Sequence, residues 1–155
     1  LPKTHRSNTA GRWMLSLPLK SVNNLVKDAR KVQQTILMVG DISDIYVTNF
    51  NTMTGDPNFT VEELSAIAFG YNRLLKESSD LLLDLKEVTT ATGLSMTDKE
   101  RLDIINRIYG EVLEYKNLTW YYTRKNIGVS YLRSKEKGDA ARVLSLYGTH
   151  DQRYW

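Results

Sequence analysis

Between Thr60 and Val88 the sequence carries a helix start, a helix period and a helix stop that agree with one another, and few folds accept such a stretch. Thr60 and Glu63 stand as a capping box, in which the threonine hydroxyl and the glutamate carboxylate each take a backbone N–H left without a partner in the first turn. Phe59 and Leu64 flank the box at the spacing of a hydrophobic staple. Beyond it, Leu64, Ile67, Tyr71, Leu74, Ser78, Leu81, Leu85 and Val88 recur three and four apart, which lines them along one seam of a helix roughly 40 Å long. Ala68, Leu75 and Leu82 widen the seam to that of a helix held between two neighbours. Threonines and Gly93 then lower helix propensity and end the element. A seam of this length is stable only when covered, so the fold must supply partner helices.

The flanking sequence supplies them. From Ser21 onward, Val22, Leu25, Ala29, Val32, Ile36 and Val39 repeat with the same spacings. Gly40 and Asp41 shift the phase before Ile42, Ile45, Tyr46 and Phe50 resume it, so the reading expects a bend or short break at Gly40 and an end near Asn49. Gly55, Asp56 and Pro57 signal a turn, which makes the first two helices antiparallel. A second capping box, Thr97 with Glu100, opens a third helix whose buried side carries Leu102, Ile105, Ile108, Tyr109, Val112, Leu113 and Tyr115. Asp103 and Arg107 form an acid-before-base pair on its surface. It runs past Tyr122, and Gly128 with its β-branched neighbours leaves open whether it reaches Lys137. Asp139 caps a short helix from Ala140 to Tyr147, closed by Gly148. The expected fold is all-α: an antiparallel bundle of three long helices, near residues 21–50, 60–89 and 97–126 or beyond, with a short C-terminal helix.

Residues 1–20 differ from this pattern. Pro2 and Pro18 bracket a basic stretch with a small apolar knot at Trp13, Met14, Leu15, Leu17 and Leu19, read as an irregular arm or boundary segment ahead of a bundle domain over residues 21–155. Pro18 interrupts the knot, so it does not read as a signal peptide; the leucine at position 1 is consistent with a further segment upstream. The net charge of +3 belongs to this arm. Lys3, Arg6, Arg12 and Lys20 stand there without an acid, and residues 21–155 are nearly neutral, which weighs against phosphate binding across the whole domain. A hydrophobic content of 41% suffices for a core, and no cysteine is present to staple it or to ligate zinc. No apolar run approaches the roughly 20 residues that span a bilayer.

Chemistry-bearing patterns are sparse. His5 and His150 lack carboxylates at helical ligand spacing, so no metal site is expected. Asp41 with Asp44, and Asp80 with Asp84, read as solvated surface pairs. Gly110, Gly128, Gly138 and Gly148 are isolated and form no phosphate loop. The glycosylation sequons at Asn58 and Asn117 read as chance matches. No catalytic residue and no cofactor follow from these residues. One stretch invites more: Trp120, Tyr121, Tyr122, Arg124 and Lys125, followed by Tyr131, Arg133, Lys135 and Lys137. Aromatics interleaved with cations can stack on single-stranded bases. The same residues serve as anchors of a protein interface, which is the preferred reading. The candidate partner surface is Tyr121, Tyr122, Arg124 and Tyr131 with the tail residues Tyr154 and Trp155; a helical accessory protein binding single-stranded nucleic acid in the cytoplasm is the alternative.

Several stretches taken together carry a resemblance: VNNLVKDARKVQ from Val22, DPNFTVEELSAIAFGYNRLL from Asp56, DKERLDIINRIYGEV from Asp98, YYTRKNIGVSYLR from Tyr121 and LYGTHDQRYW from Leu146. They resemble the TrbJ-type transfer proteins of conjugative transposons, which are similar to the minor pilus subunit of type IV secretion systems. The resemblance spans about residues 21–155; the family would place a signal peptide and a further helical segment upstream, and residues 1–20 do not fit that pattern. What it implies is a mostly helical, non-enzymatic component in the periplasm or cell envelope. Such a component contributes to pilus assembly or mating contact and works through other conjugation or secretion-apparatus proteins.

Overall fold

The computed structural model describes residues 22–90 and 96–148. Its elements are α1 (Val22–Thr54), α2 (Val61–Thr90), α3 (Asp98–Glu136) and α4 (Ala140–Tyr147), an antiparallel bundle of three long helices with a short C-terminal one. The arm 1–20, Gly93, the side chains of Val22 and Leu25, and the tail residues His150, Tyr154 and Trp155 lie outside the described residues.

Both capping boxes form. The Thr60 N–H donates to Glu63 Oε1 at 3.2 Å and the Glu63 N–H to Thr60 Oγ1 at 3.1 Å. The Thr97 N–H donates to Glu100 Oε2 at 3.1 Å and the Glu100 N–H to Thr97 Oγ1 at 3.2 Å. Phe59 and Leu64 meet in one apolar cluster, as a staple requires. Gly148 closes α4 in the left-handed conformation, φ 77°, with its N–H donating to the Leu144 carbonyl.

Four local expectations are corrected. α1 does not break at Gly40 but continues to Thr54. A lone helical glycine costs only about 1 kcal/mol, and Val39, Ile42 and Ile45 stay buried on both sides of it. Leu113 lies at the edge of the apolar face and is exposed. Arg107 turns toward the C-terminus, where its Nη1 meets Glu111 at 3.2 Å in place of Asp103. Asp139 does not cap α4 with its side chain, because its carboxylate accepts Arg142 Nε at 2.7 Å. The open question at Gly128 is answered by a continuous α3 to Glu136.

The chain falls into two compact units, and each long helix gives one stretch to each. The first comprises Leu1–Gly40 and Lys76–Tyr115. Its described core joins aliphatic side chains, Val32, Met38 and Val39 of α1, Leu85 and Val88 of α2, and Ile105, Ile108 and Val112 of α3, with the buried polar residues Thr35, Ser78, Thr89 and Arg101. At its edges Lys31 Nζ donates to Asn106 Oδ1 at 2.7 Å and Tyr115 OH to Glu77 Oε2 at 2.8 Å. The second comprises Asp41–Leu75 and Lys116–Trp155. There Met53, Phe59, Ile67, Tyr71 and Ile127 form the core, with Tyr46, Phe50, Leu64, Tyr122 and Tyr147 packed against it.

Candidate functional site

Tyr121, Tyr122, Arg124 and Tyr131 of the expected partner surface fall in the second unit, which holds a buried carboxylate. The turn after α1 begins with the Gly55 and Asp56 N–H groups donating to Thr52 and Met53 carbonyls. Pro57 then directs the chain so that Asp56 Oδ1 accepts the Asn58 N–H at 2.9 Å. Asp56 Oδ2 accepts Ser130 Oγ at 2.5 Å and Tyr147 OH at 2.9 Å, and Arg142 Nη1 stands 4.0 Å from Oδ1. Asn58 is bound as fully: its Nδ2 donates to the Ser130 carbonyl and hydroxyl and to Ser134 Oγ. Its Oδ1 accepts Lys137 Nζ at 3.0 Å and its carbonyl accepts Arg133 Nη1 at 2.6 Å.

This cluster joins the interhelical turn to the end of α3 and to α4. Asp56, Asn58, Ser130 and Ser134 are all buried, and each is used by its neighbours, so the chemistry available is that of a tie. Burial pushes the Tyr147 phenol pKa upward, and its bond to the Asp56 carboxylate adds to the shift. The Arg133 hydrogen bond holds the Glu63 carboxyl below its ordinary range, assisted by the Thr60 backbone bond. Asn58, the first residue of one sequon, has its amide nitrogen committed to this interior.

A file of aromatic rings continues the core. Tyr46 meets Phe50 edge-on at 5.7 Å, stacks on Tyr71 at 4.7 Å, and Tyr71 meets Tyr122 edge-on at 4.9 Å. The Tyr71 hydroxyl lies 2.5 Å from Thr123 Oγ1, which donates to the Thr119 carbonyl at 2.8 Å, so the phenol is the donor to Thr123. Desolvation pushes the Tyr71 pKa up to about 12. Tyr122 enters over Gly70, where an added Cβ would overlap its hydroxyl and ring; that hydroxyl donates to the Ile67 carbonyl at 3.0 Å.

The expected partner surface is therefore distributed over different environments. Tyr121 and Arg124 are exposed, Tyr131 is half-buried, and Tyr122 is turned into the core. Tyr154 and Trp155 lie outside the described residues. The sequence reading missed what surrounds Tyr121. Leu118, Tyr121, Val129 and Leu132 are 46%, 52%, 39% and 54% exposed, and they share the outer face of α3. Lys125 lies among them, its Nζ 5.4 Å from the centre of the Tyr121 ring. The signal that would have found this face is the run of Thr119, Thr123, Ser130 and Ser134 at spacings of four, seven and four, because buried hydroxyls on one side of a helix leave the apolar residues on the other.

Among the described residues no group of three or more His, Asp or Glu side chains is placed to hold a metal ion, and no helix is long and apolar enough to cross a membrane. Comparison with protein-family models, with curated proteins and with solved structures finds no match to this chain.

Proposed function

We propose that this chain is a non-enzymatic, protein-binding component of a conjugative, type IV secretion-like DNA-transfer apparatus, working at the cell envelope in pilus assembly or mating contact. The apparatus and the location rest on the sequence resemblance to TrbJ-type transfer proteins. The protein-binding part rests on one observation, the outer face of α3. Single exposed hydrophobics are common on any surface, whereas Leu118, Tyr121, Val129 and Leu132 follow one another along one helix face. Tyr121 is the kind of residue that anchors a contact, and its aliphatic neighbours extend the apolar area around it.

The alternative, capture of single-stranded nucleic acid, needs successive rings free to stack on bases. Tyr122 is withdrawn, its hydroxyl on the Ile67 carbonyl and its ring edge on Tyr71, which leaves Tyr121 outward beside aliphatic neighbours. The test is a mating assay on a deletion strain, complemented either with the native full-length gene or with one carrying L118S, Y121S and L132S. Transfer lost on deletion, restored by the native gene and not by the variant, is the expected result. Undiminished transfer in the deletion strain, or residence of the native product in the cytoplasm, would remove the proposal.

A further inference from the structure

The second half of α3 is turned inside out, and the charges around it indicate what its outer face receives. At 100° per residue, Thr119, Thr123, Ile127, Ser130 and Ser134 occupy the inner side, and all are buried. Leu118, Tyr121, Lys125 and Leu132 occupy the opposite pole, with Val129 at its rim. Their spacings of three, four and seven are those of a heptad seam, and the seam runs about 21 Å along the helix. A partner presenting the same period would interdigitate with it.

Charge then selects among partners. From Lys116 to Lys137 the sequence holds six basic side chains and one acid, Glu136. Lys116 is engaged with Asp41, Arg133 with Glu63, and Lys137 with Asn58. Arg124 and Lys135 remain exposed alongside the seam, and Lys125 is exposed within it, over the Tyr121 ring. We propose that the outer face of α3 is a docking site for an amphipathic helix of another protein, apolar at heptad spacing and flanked by Asp and Glu. A second copy of this chain would set the same cations against one another, which is unfavourable. Single-stranded nucleic acid matches the charge but not the aliphatic residues Leu118, Val129 and Leu132. The inference deepens the protein-binding reading by naming the chemistry of the partner.

The experiment uses the full chain and two synthetic helical peptides of identical Leu heptad core, one with Glu and one with Lys at the flanking positions. The Glu peptide should bind tighter than the Lys peptide by about tenfold or more at low salt, and the difference should shrink as salt rises. L118S and L132S together should weaken the Glu peptide by about tenfold or more, with unchanged helical circular dichroism. Failure of the Glu peptide to bind, or equal binding of both peptides, would overturn the inference. So would oligo-dT binding, or self-association of the chain, that the same two substitutions abolish. The two proposals fail separately: a transfer-defective deletion strain with no Glu-peptide binding removes only the acidic helix, and Glu-peptide binding with normal transfer removes only the apparatus.

Discussion

The two halves of α3 solve the same packing problem with a different balance of side chains, mainly aliphatic in the first and mainly hydroxyl in the second. In the first unit the helix buries Ile105, Ile108 and Val112 beside Arg101, and a lost methylene there costs its contacts and the cavity it leaves. In the second it buries Thr119, Thr123, Ser130 and Ser134, whose hydroxyls gain from burial only while each has a partner. The Tyr71, Asn58 and Asp56 side chains meet three of those four hydroxyls. An aliphatic seam tolerates small shifts. A hydrogen-bonded seam fixes geometry and fails when one member is removed, and it leaves the apolar residues of its helix facing outward.

The largest expected effect comes from breaking the polar half at its centre. Asp56→Ala would strand the Ser130 and Tyr147 hydroxyls and the Asn58 N–H, and should cost on the order of 3–5 kcal/mol. Ile108→Ala in the aliphatic half should fall at about 2–5 kcal/mol. Denaturant titration measures both, and hydrogen exchange separates them: α4 should lose protection with Asp56→Ala, because Tyr147 and Arg142 both reach that carboxylate. A loss at Asp56 under about 1 kcal/mol would show the cluster to be dispensable and remove the contrast.

Next in size is the response to alkali. The Tyr71 phenol is neutral in both folded and unfolded chains below pH 10. Above that the unfolded phenol ionises, while the folded one holds its proton to about pH 12. The folded state therefore binds more protons in this window, and stability should fall by about 3 kcal/mol as pH rises through it. Tyr122 and Tyr147 are shifted in the same direction by burial. Tyr71→Phe should remove one phenol's share of this fall, leaving the shares of Tyr122 and Tyr147, while losing about 1 kcal/mol at neutral pH with its hydrogen bond. Equal alkaline slopes for wild type and Tyr71→Phe would refute the assignment.

These contrasts also explain which features could be read from sequence. The capping boxes and Phe59 with Leu64 were legible because a cap is local, its residues fixed three to five apart. The seams of α2 and of the first half of α3 were legible because they are apolar. Thr123, Ser130 and Ser134 were not, since an apolar template passes over hydroxyls whose partners lie about 50 to 80 residues away. Nor does spacing separate Tyr121 from Tyr122. Two adjacent aromatics point 100° apart, and it is Gly70 on α2 that admits the second to the core. Gly128 remained undecided because a lone glycine lowers helix propensity by about 1 kcal/mol without forbidding a helix, so propensity alone does not decide whether α3 continues.

Glycine substitutions test the same contrast at smaller amplitude and with opposite signs. At Gly70 a methyl group would meet the Tyr122 hydroxyl and ring, so Gly70→Ala should destabilise by about 1–3 kcal/mol through overpacking. At Gly110, in the aliphatic half, a Cβ meets nothing within 4 Å. Gly110→Ala should stabilise by about 0.5–1 kcal/mol, the difference in helix propensity. Thermal melts read both. Destabilisation by Gly110→Ala would mean that the half described as tolerant is as closely fitted as the other.

The smallest expected change is at the outer face. Leu118 and Leu132 are large and apolar, and in the first half of α3 such residues would be counted as core. Here they lie opposite the buried hydroxyls with about half their surface in water. Replacing either by serine removes little that folding buries, and the altered stability should stay within about 0.5 kcal/mol, the range of ordinary surface substitutions. The same replacement at Ile108, wholly buried in the first unit, would leave a cavity and lose the burial of the whole side chain. Denaturant titration of L118S, L132S and I108S therefore measures the inversion directly. A cost at Leu118 or Leu132 approaching that at Ile108 would place those side chains inside the fold, and the outer face of α3 would then be packed on both sides and closed to a partner.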